Sequence, residues 1–142
     1  MSDVKAVNLG IIHKVLIVFV LINIIGDIGN VIFWWVSPSS RLSLTPSIIG
    51  NAVGAYDALI AGTIVLLVVS IVYIVSLYGL LKKMLWAPLL VIAISIANRV
   101  LAVFLYEISF AFVFWAVWTI ILVVVSFLDW RKMKALQKQT SA

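Results

Sequence analysis

Four long runs of apolar residues, broken by short polar or proline-bearing stretches, set the pattern of this chain. They cover about residues 15–36, 58–81, 86–106 and 110–128. A bilayer core about 30 Å thick takes about 20 apolar residues per helical crossing, and each run meets that length. Backbone groups in hydrocarbon must find partners within the segment, so each run is expected to be a helix despite its many β-branched residues. Period-2 alternation is absent, which excludes a membrane β-barrel. The expected architecture is all-α: an integral membrane protein of one domain, built as a bundle of four transmembrane helices.

The interruptions carry boundary signals. Ser37-Pro38-Ser39-Ser40 ends the first run, because proline lacks an N–H and disfavours helix before it. Lys82-Lys83 divides the second run from the third, and Pro88 falls in the third helix's first turn. Glu107-Ile108-Ser109 makes a tight turn into the fourth run, which Asp129-Trp130-Arg131-Lys132 closes. Trp34, Trp35, Trp86 and Trp130 lie at helix ends and read as an interfacial aromatic belt.

Composition supports lipid rather than water as the solvent. Of 142 residues, 65% are hydrophobic and 11% charged, against about half and a quarter in a soluble domain. A chain this short cannot bury so much apolar surface in its own core. A soluble domain, a disordered chain and a nucleic-acid-binding module are thereby excluded as classes. Lys5, Lys14, Lys82, Lys83, Arg131, Lys132, Lys134 and Lys138 fall on one side of a four-span chain, against Arg41 alone on the other. By the positive-inside rule both termini are expected in the cytoplasm, residues 37–57 outside, and residues 129–142 as a cytoplasmic tail.

Within residues 37–57, Thr45-Pro46 reads as a helix start. Gly50, Gly54, Ala58 and Gly62 then recur every four residues, a small-residue stripe that admits close helix packing. The second helix is expected to begin near Pro46 and pack along that stripe. The alternative is an irregular loop with chance glycines.

Candidate chemistry lies inside the spans, where ionisable groups are costly and point to function by default. Asp27 follows Lys14 by 13 residues, and Arg99 follows Trp86 by 13. At 1.5 Å per residue both sit about 20 Å from the inner boundary, in the outer half of the membrane. Asn23, Asp27 and Asn30 share one helix face, with Gly26 and Gly29 between them to allow close packing or local distortion. Ser95, Arg99 and Tyr106 share another, with Asn98 beside it, and Thr63, Ser70 and Tyr73 fall on a third. A buried Asp27–Arg99 pair is expected, in a polar seam opening outward toward Tyr106 and Glu107.

Enzyme signatures are absent. No HExxH, G-x-S-x-G or phosphate loop is present, and without cysteine there is no thiol chemistry. One histidine builds no metal site, and no cofactor is expected. His13, beside Lys14, reads as interfacial. Trp115 and Trp118 read as lipid-facing or core aromatics.

Three functions stay open. The first is a transporter-like or ligand-binding protein that holds a small polar or anionic ligand, or lipid, in the seam. The second is an accessory or assembly subunit of a larger membrane complex, and the third a lipid-modifying membrane enzyme. Membrane lipid is the expected surround, and a homo-oligomer or larger complex the expected state.

Overall fold

The computed structural model describes residues 9–37, 55–105 and 110–141. They form helices α1 (Gly10–Val36), α2 (Ala55–Leu81), α3 (Trp86–Leu105) and α4 (Phe110–Ser141). All four are long and apolar enough to cross a membrane. Each helix packs on its neighbour in the chain, and α1 also packs on α4, so the four close into an antiparallel ring.

Apolar side chains cover the outer faces. Ile25, Ile32, Ile64, Ile71, Val100, Val117 and Ile120 are each more than half exposed. The inward faces follow helical spacing: Leu16, Val20, Ile24 and Asp27 on α1, and Leu122, Ser126, Asp129 and Met133 on α4. A main core joins Leu16, Val20, Ile24, Val69, Tyr73, Leu80, Val91 and Leu122 from all four helices. A second, smaller core packs Trp34 against Ala58, Leu59 and Leu66.

Three boundaries differ from the hydropathy reading. α1 begins at Gly10, before the apolar run, where φ is +73° and the glycine has no side chain to collide with the Lys132 ammonium. α2 is helical already at Ala55. The larger correction is at the C-terminus, where α4 continues through Asp129-Trp130-Arg131-Lys132 to Ser141 instead of stopping at Leu128. Residues 130–141 contain neither Pro nor Gly, and Arg131, Lys132, Met133, Lys134, Ala135, Leu136, Gln137 and Lys138 are all good helix formers, which sustain helix outside the apolar span.

The α2–α3 turn explains how two lysines end one helix. Lys83 adopts φ 55°, its N–H donates to Leu80 O at 2.9 Å, and the Met84 N–H donates to Gly79 O at 2.8 Å. These two bonds make a Schellman cap, with lysine in the left-handed position that glycine commonly takes. Close packing follows directly. A Cβ on Gly79 would lie 2.7 Å from Ala87 Cβ and 2.7 Å from the Trp86 ring.

Tryptophan placement also departs from a simple belt. Trp34 is 5% exposed and lies on Gly62, where a Cβ would meet the indole at 3.1 Å. The missing side chain at Gly62 leaves room for the ring, so this indole packs inside the bundle. Trp35 remains outside, and its indole N–H donates to Thr63 Oγ1 at 3.0 Å. Gly50, Gly54 and the expected helix start near Pro46 lie outside the described residues. Ala58 and Gly62 are both buried on the α2 face that meets α1.

Candidate functional site: a polar seam and a buried histidine

The seam residues come from all four helices. Asp27 on α1 is 9% exposed, and its Oδ2 has no hydrogen-bond partner. Arg99 on α3 is half-buried, and its charge acts on Asp27 across the ring. Among the described residues, no ion pair within 4 Å joins the two. The Arg99 Nε–H instead donates to Thr119 Oγ1 at 3.3 Å, and its guanidinium lies 5.6 Å from the Phe112 ring centroid. Thr119 in turn donates to Trp115 O at 2.9 Å. α4 thus supplies a polar contact that the three-helix reading of the seam lacks.

On the other flank, Tyr73 of α2 and Ser95 of α3 share a hydrogen bond of 2.9 Å between their hydroxyls. Because Ser95 Oγ donates to Val91 O at 2.6 Å, the tyrosine O–H is the donor in that bond. The charges of both Asp27 and Arg99 reach the Tyr73 hydroxyl. Ser70, one turn away on α2, is buried with an unpartnered Oγ, and the Trp118 indole N–H of α4 is likewise buried and unpartnered.

Other expected seam members fall elsewhere. Asn23 is buried, but its amide donates to Phe19 O of its own helix at 2.8 Å. Asn30 is exposed and Asn98 half-buried. Tyr106 and Glu107 lie outside the described residues. Gly26 and Gly29 bring no close approach among the described residues. α1 is unbroken, Gly26 meets the Trp115 ring only at ordinary contact distance, and no described atom comes within 4 Å of a Cβ at Gly29.

A second polar cluster, away from the seam, lies where the first turns of α1, the end of α2 and the C-terminal part of α4 meet. His13 is 6% exposed and packs inside the bundle. Its Nδ1 is 2.8 Å from Asp129 Oδ2, and its Nε2 is 3.0 Å from Leu80 O. Asp129 is fully buried, with Oδ1 unpartnered. The arrangement gathers α1, α2 and α4 on one imidazole. Lys132 reinforces it by donating to Leu9 O at 2.7 Å. Above this cluster the α1–α4 contact continues through Phe19 and Trp118, whose ring centroids are 4.8 Å apart.

Sequence reasoning passed over this cluster because His13 and Asp129 are 116 residues apart and each adjoins a cation-rich boundary. One signal was available. Asp129 is an acid at the end of an apolar run, inside the flank where basic residues concentrate.

The described residues hold no group of three or more His, Cys, Asp or Glu side chains placed to bind a metal. No known protein family, curated protein or solved structure matches the chain. What these observations define is a class: a four-helix membrane protein with a polar interior.

Proposed function

We propose that this chain is a solute-binding, transporter-like membrane protein with both termini in the cytoplasm. Its site is the seam around Asp27, Ser70, Tyr73, Ser95 and Arg99, and its ligand is a small zwitterion. The observation that carries this reading is the Asp27 carboxylate, buried within a span with one oxygen unpartnered. Arg99's charge lies within reach but outside ion-pair distance. An unpartnered buried carboxylate oxygen is expensive in a membrane interior, and intramembrane ionisable groups mark solute and ion paths. A zwitterion between the two charges places its cationic end on Asp27 and its anionic end toward Arg99. The Tyr73–Ser95 bond and the Ser70 hydroxyl supply polar contacts along its length.

The test is binding to the purified protein in lipid nanodiscs, with amino acids and betaines as probes and thermal stabilisation as the readout. Saturable stabilisation by a zwitterion, lost in Asp27→Asn and in Arg99→Gln, supports the reading. Absence of any response, or responses unchanged in Asp27→Asn, rejects it. Recovery of the chain only together with other subunits favours the accessory role instead.

A further inference from the structure

We propose that Arg131 and Lys134, on the outward face of α4, seat the headgroup of an anionic phospholipid whose acyl chains run along the apolar part of the same face. The inference stands apart from the solute site and uses none of its residues.

The surface exists because α4 does not stop with its apolar run. A coil after Leu128 would scatter the cations, whereas helix through Ser141 fixes their directions. Ile120, Val124, Phe127, Arg131, Lys134 and Lys138 follow each other at alternating spacings of four and three, so they form one stripe along the helix. All six are exposed. The stripe is apolar up to Phe127 and cationic from Arg131, and the change falls at the end of the hydrophobic run. Another face of α4 carries Asp129 and Met133, both buried against the bundle. Lys132 is bonded to Leu9 O and takes no part in the stripe.

Height follows from helical rise. At 1.5 Å per residue, the Cα atoms of Arg131, Lys134 and Lys138 lie about 4.5, 9 and 15 Å beyond Leu128. The headgroup layer is about 5–8 Å thick on each side of the hydrocarbon. Helical side chains lean toward the helix N-terminus, which here is toward the apolar run. Ring contacts show that lean directly. The Arg131 guanidinium lies 6.0 Å from the Phe127 ring centroid, and the Lys134 ammonium 4.7 Å from that of Trp130, each one turn back. Phe127 and Trp130 are themselves 5.9 Å apart. Both cations are thereby drawn to phosphate level and kept there. Lys138 stays farther out, within about one Debye length of the phosphates, and adds potential only.

The charge of this surface is uncompensated. Among the described residues, neither Arg131 nor Lys134 meets a carboxylate within 4 Å. Asp129, the one acid described at this end of the bundle, is buried and in contact with His13. Lys14 and Lys82 are exposed on α1 and α2 and raise the positive potential further. An anionic occupant is therefore required. Continuity with the exposed Val124 and Phe127 favours a lipid over an acidic protein segment, because a lipid alone pairs an apolar chain with a phosphate at this boundary.

The experiment is a lipid titration of the purified full chain in detergent, read by native mass spectrometry. The probes are dioleoyl phosphatidylglycerol and dioleoyl phosphatidylcholine, which share their chains and differ in net charge. The expected result is that phosphatidylglycerol binds at least about fivefold tighter, the factor that one basic side chain contributes at an anionic surface. In Arg131→Gln/Lys134→Gln the preference should fall to about twofold or less. Lys14→Gln/Lys82→Gln removes the same charge from the same end of the bundle and should leave it within about twofold of wild type. A wild-type preference below about twofold overturns the proposal and leaves the face to an acidic protein segment. An equal fall in the two double variants also overturns it, because diffuse charge would then account for the selectivity. If Arg131→Gln/Lys134→Gln does not fold, the wild-type preference and its persistence in Lys14→Gln/Lys82→Gln still decide. No seam residue is altered, so failure here leaves the solute-binding reading untouched.

Discussion

Replacing Gly79 with alanine should destabilise the bundle, while the same change at Gly29 should stabilise it. Both glycines lie inside helices, where alanine gains about 0.5–1 kcal/mol from backbone entropy and propensity. At Gly29 nothing described lies within 4 Å of the new methyl, so that gain stands. At Gly79 the methyl would fall 2.7 Å from Ala87 Cβ and 2.7 Å from the Trp86 ring. The indole can rotate away, but Ala87 Cβ is fixed to its backbone, so relief requires α2 and α3 to separate locally. Overpacking of this kind costs about 1–3 kcal/mol, which leaves Gly79→Ala a net loss of about 0.5–2 kcal/mol. Gly62→Ala should fall between them, since its 3.1 Å neighbour is an indole edge that can yield by a few tenths of an ångström. Equilibrium unfolding in mixed micelles, followed by tryptophan fluorescence, ranks the three variants. Equal stability of Gly79→Ala and Gly29→Ala would refute the close helix approach on which the argument rests.

Asp27 and Arg99 interact through space without an ion-pair contact, so a double-mutant cycle of Asp27→Asn and Arg99→Gln should give a coupling on the order of 1 kcal/mol. A coupling of zero would show that neither charge feels the other. Tyr73→Phe removes the hydroxyl that donates to Ser95 and should cost about 0.5–1.5 kcal/mol in thermal unfolding. An unchanged midpoint would mean that the bond adds nothing to stability. Lys83→Gly frees the left-handed cap from its Cβ and should stabilise by up to about 1 kcal/mol; a lower unfolding midpoint would count against strain at that turn. Single cysteines at Ser39 and Ser141 should label from outside and from inside respectively, and external labelling of Ser141 would reverse the proposed orientation.

The four helices were legible because lipid demands long unbroken apolar runs, and that demand is written directly into hydropathy. Where α4 stops was not. Arg131 to Lys138 satisfy the positive-inside pattern whether the backbone is coil or helix, and only intrinsic propensity distinguishes the two. Depth arithmetic put Asp27 and Arg99 at one level, but no ion pair within 4 Å joins them among the described residues. It could not say which way the guanidinium turns. That choice depends on Thr119 and Phe112 of α4, whose rotation about the helix axis no hydropathy pattern specifies. His13 stayed hidden for a related reason. An imidazole next to a lysine at a boundary needs no partner to explain it, and its partner comes 116 residues later.

That separation sets a timetable for assembly. A ribosome adding about 5–20 residues per second needs about 6–23 s to pass from His13 to Asp129. For most of that interval α1 is already made, while the carboxylate that receives its imidazole does not yet exist. Leu80 arrives sooner, so the histidine can dock on the end of α2 and wait there. Closing the ring is then the last act of folding, available only when nearly the whole chain has been synthesised. A chain cut short before Asp129 would hold the residues of its first three helices yet lack the carboxylate that joins α4 to His13 of α1.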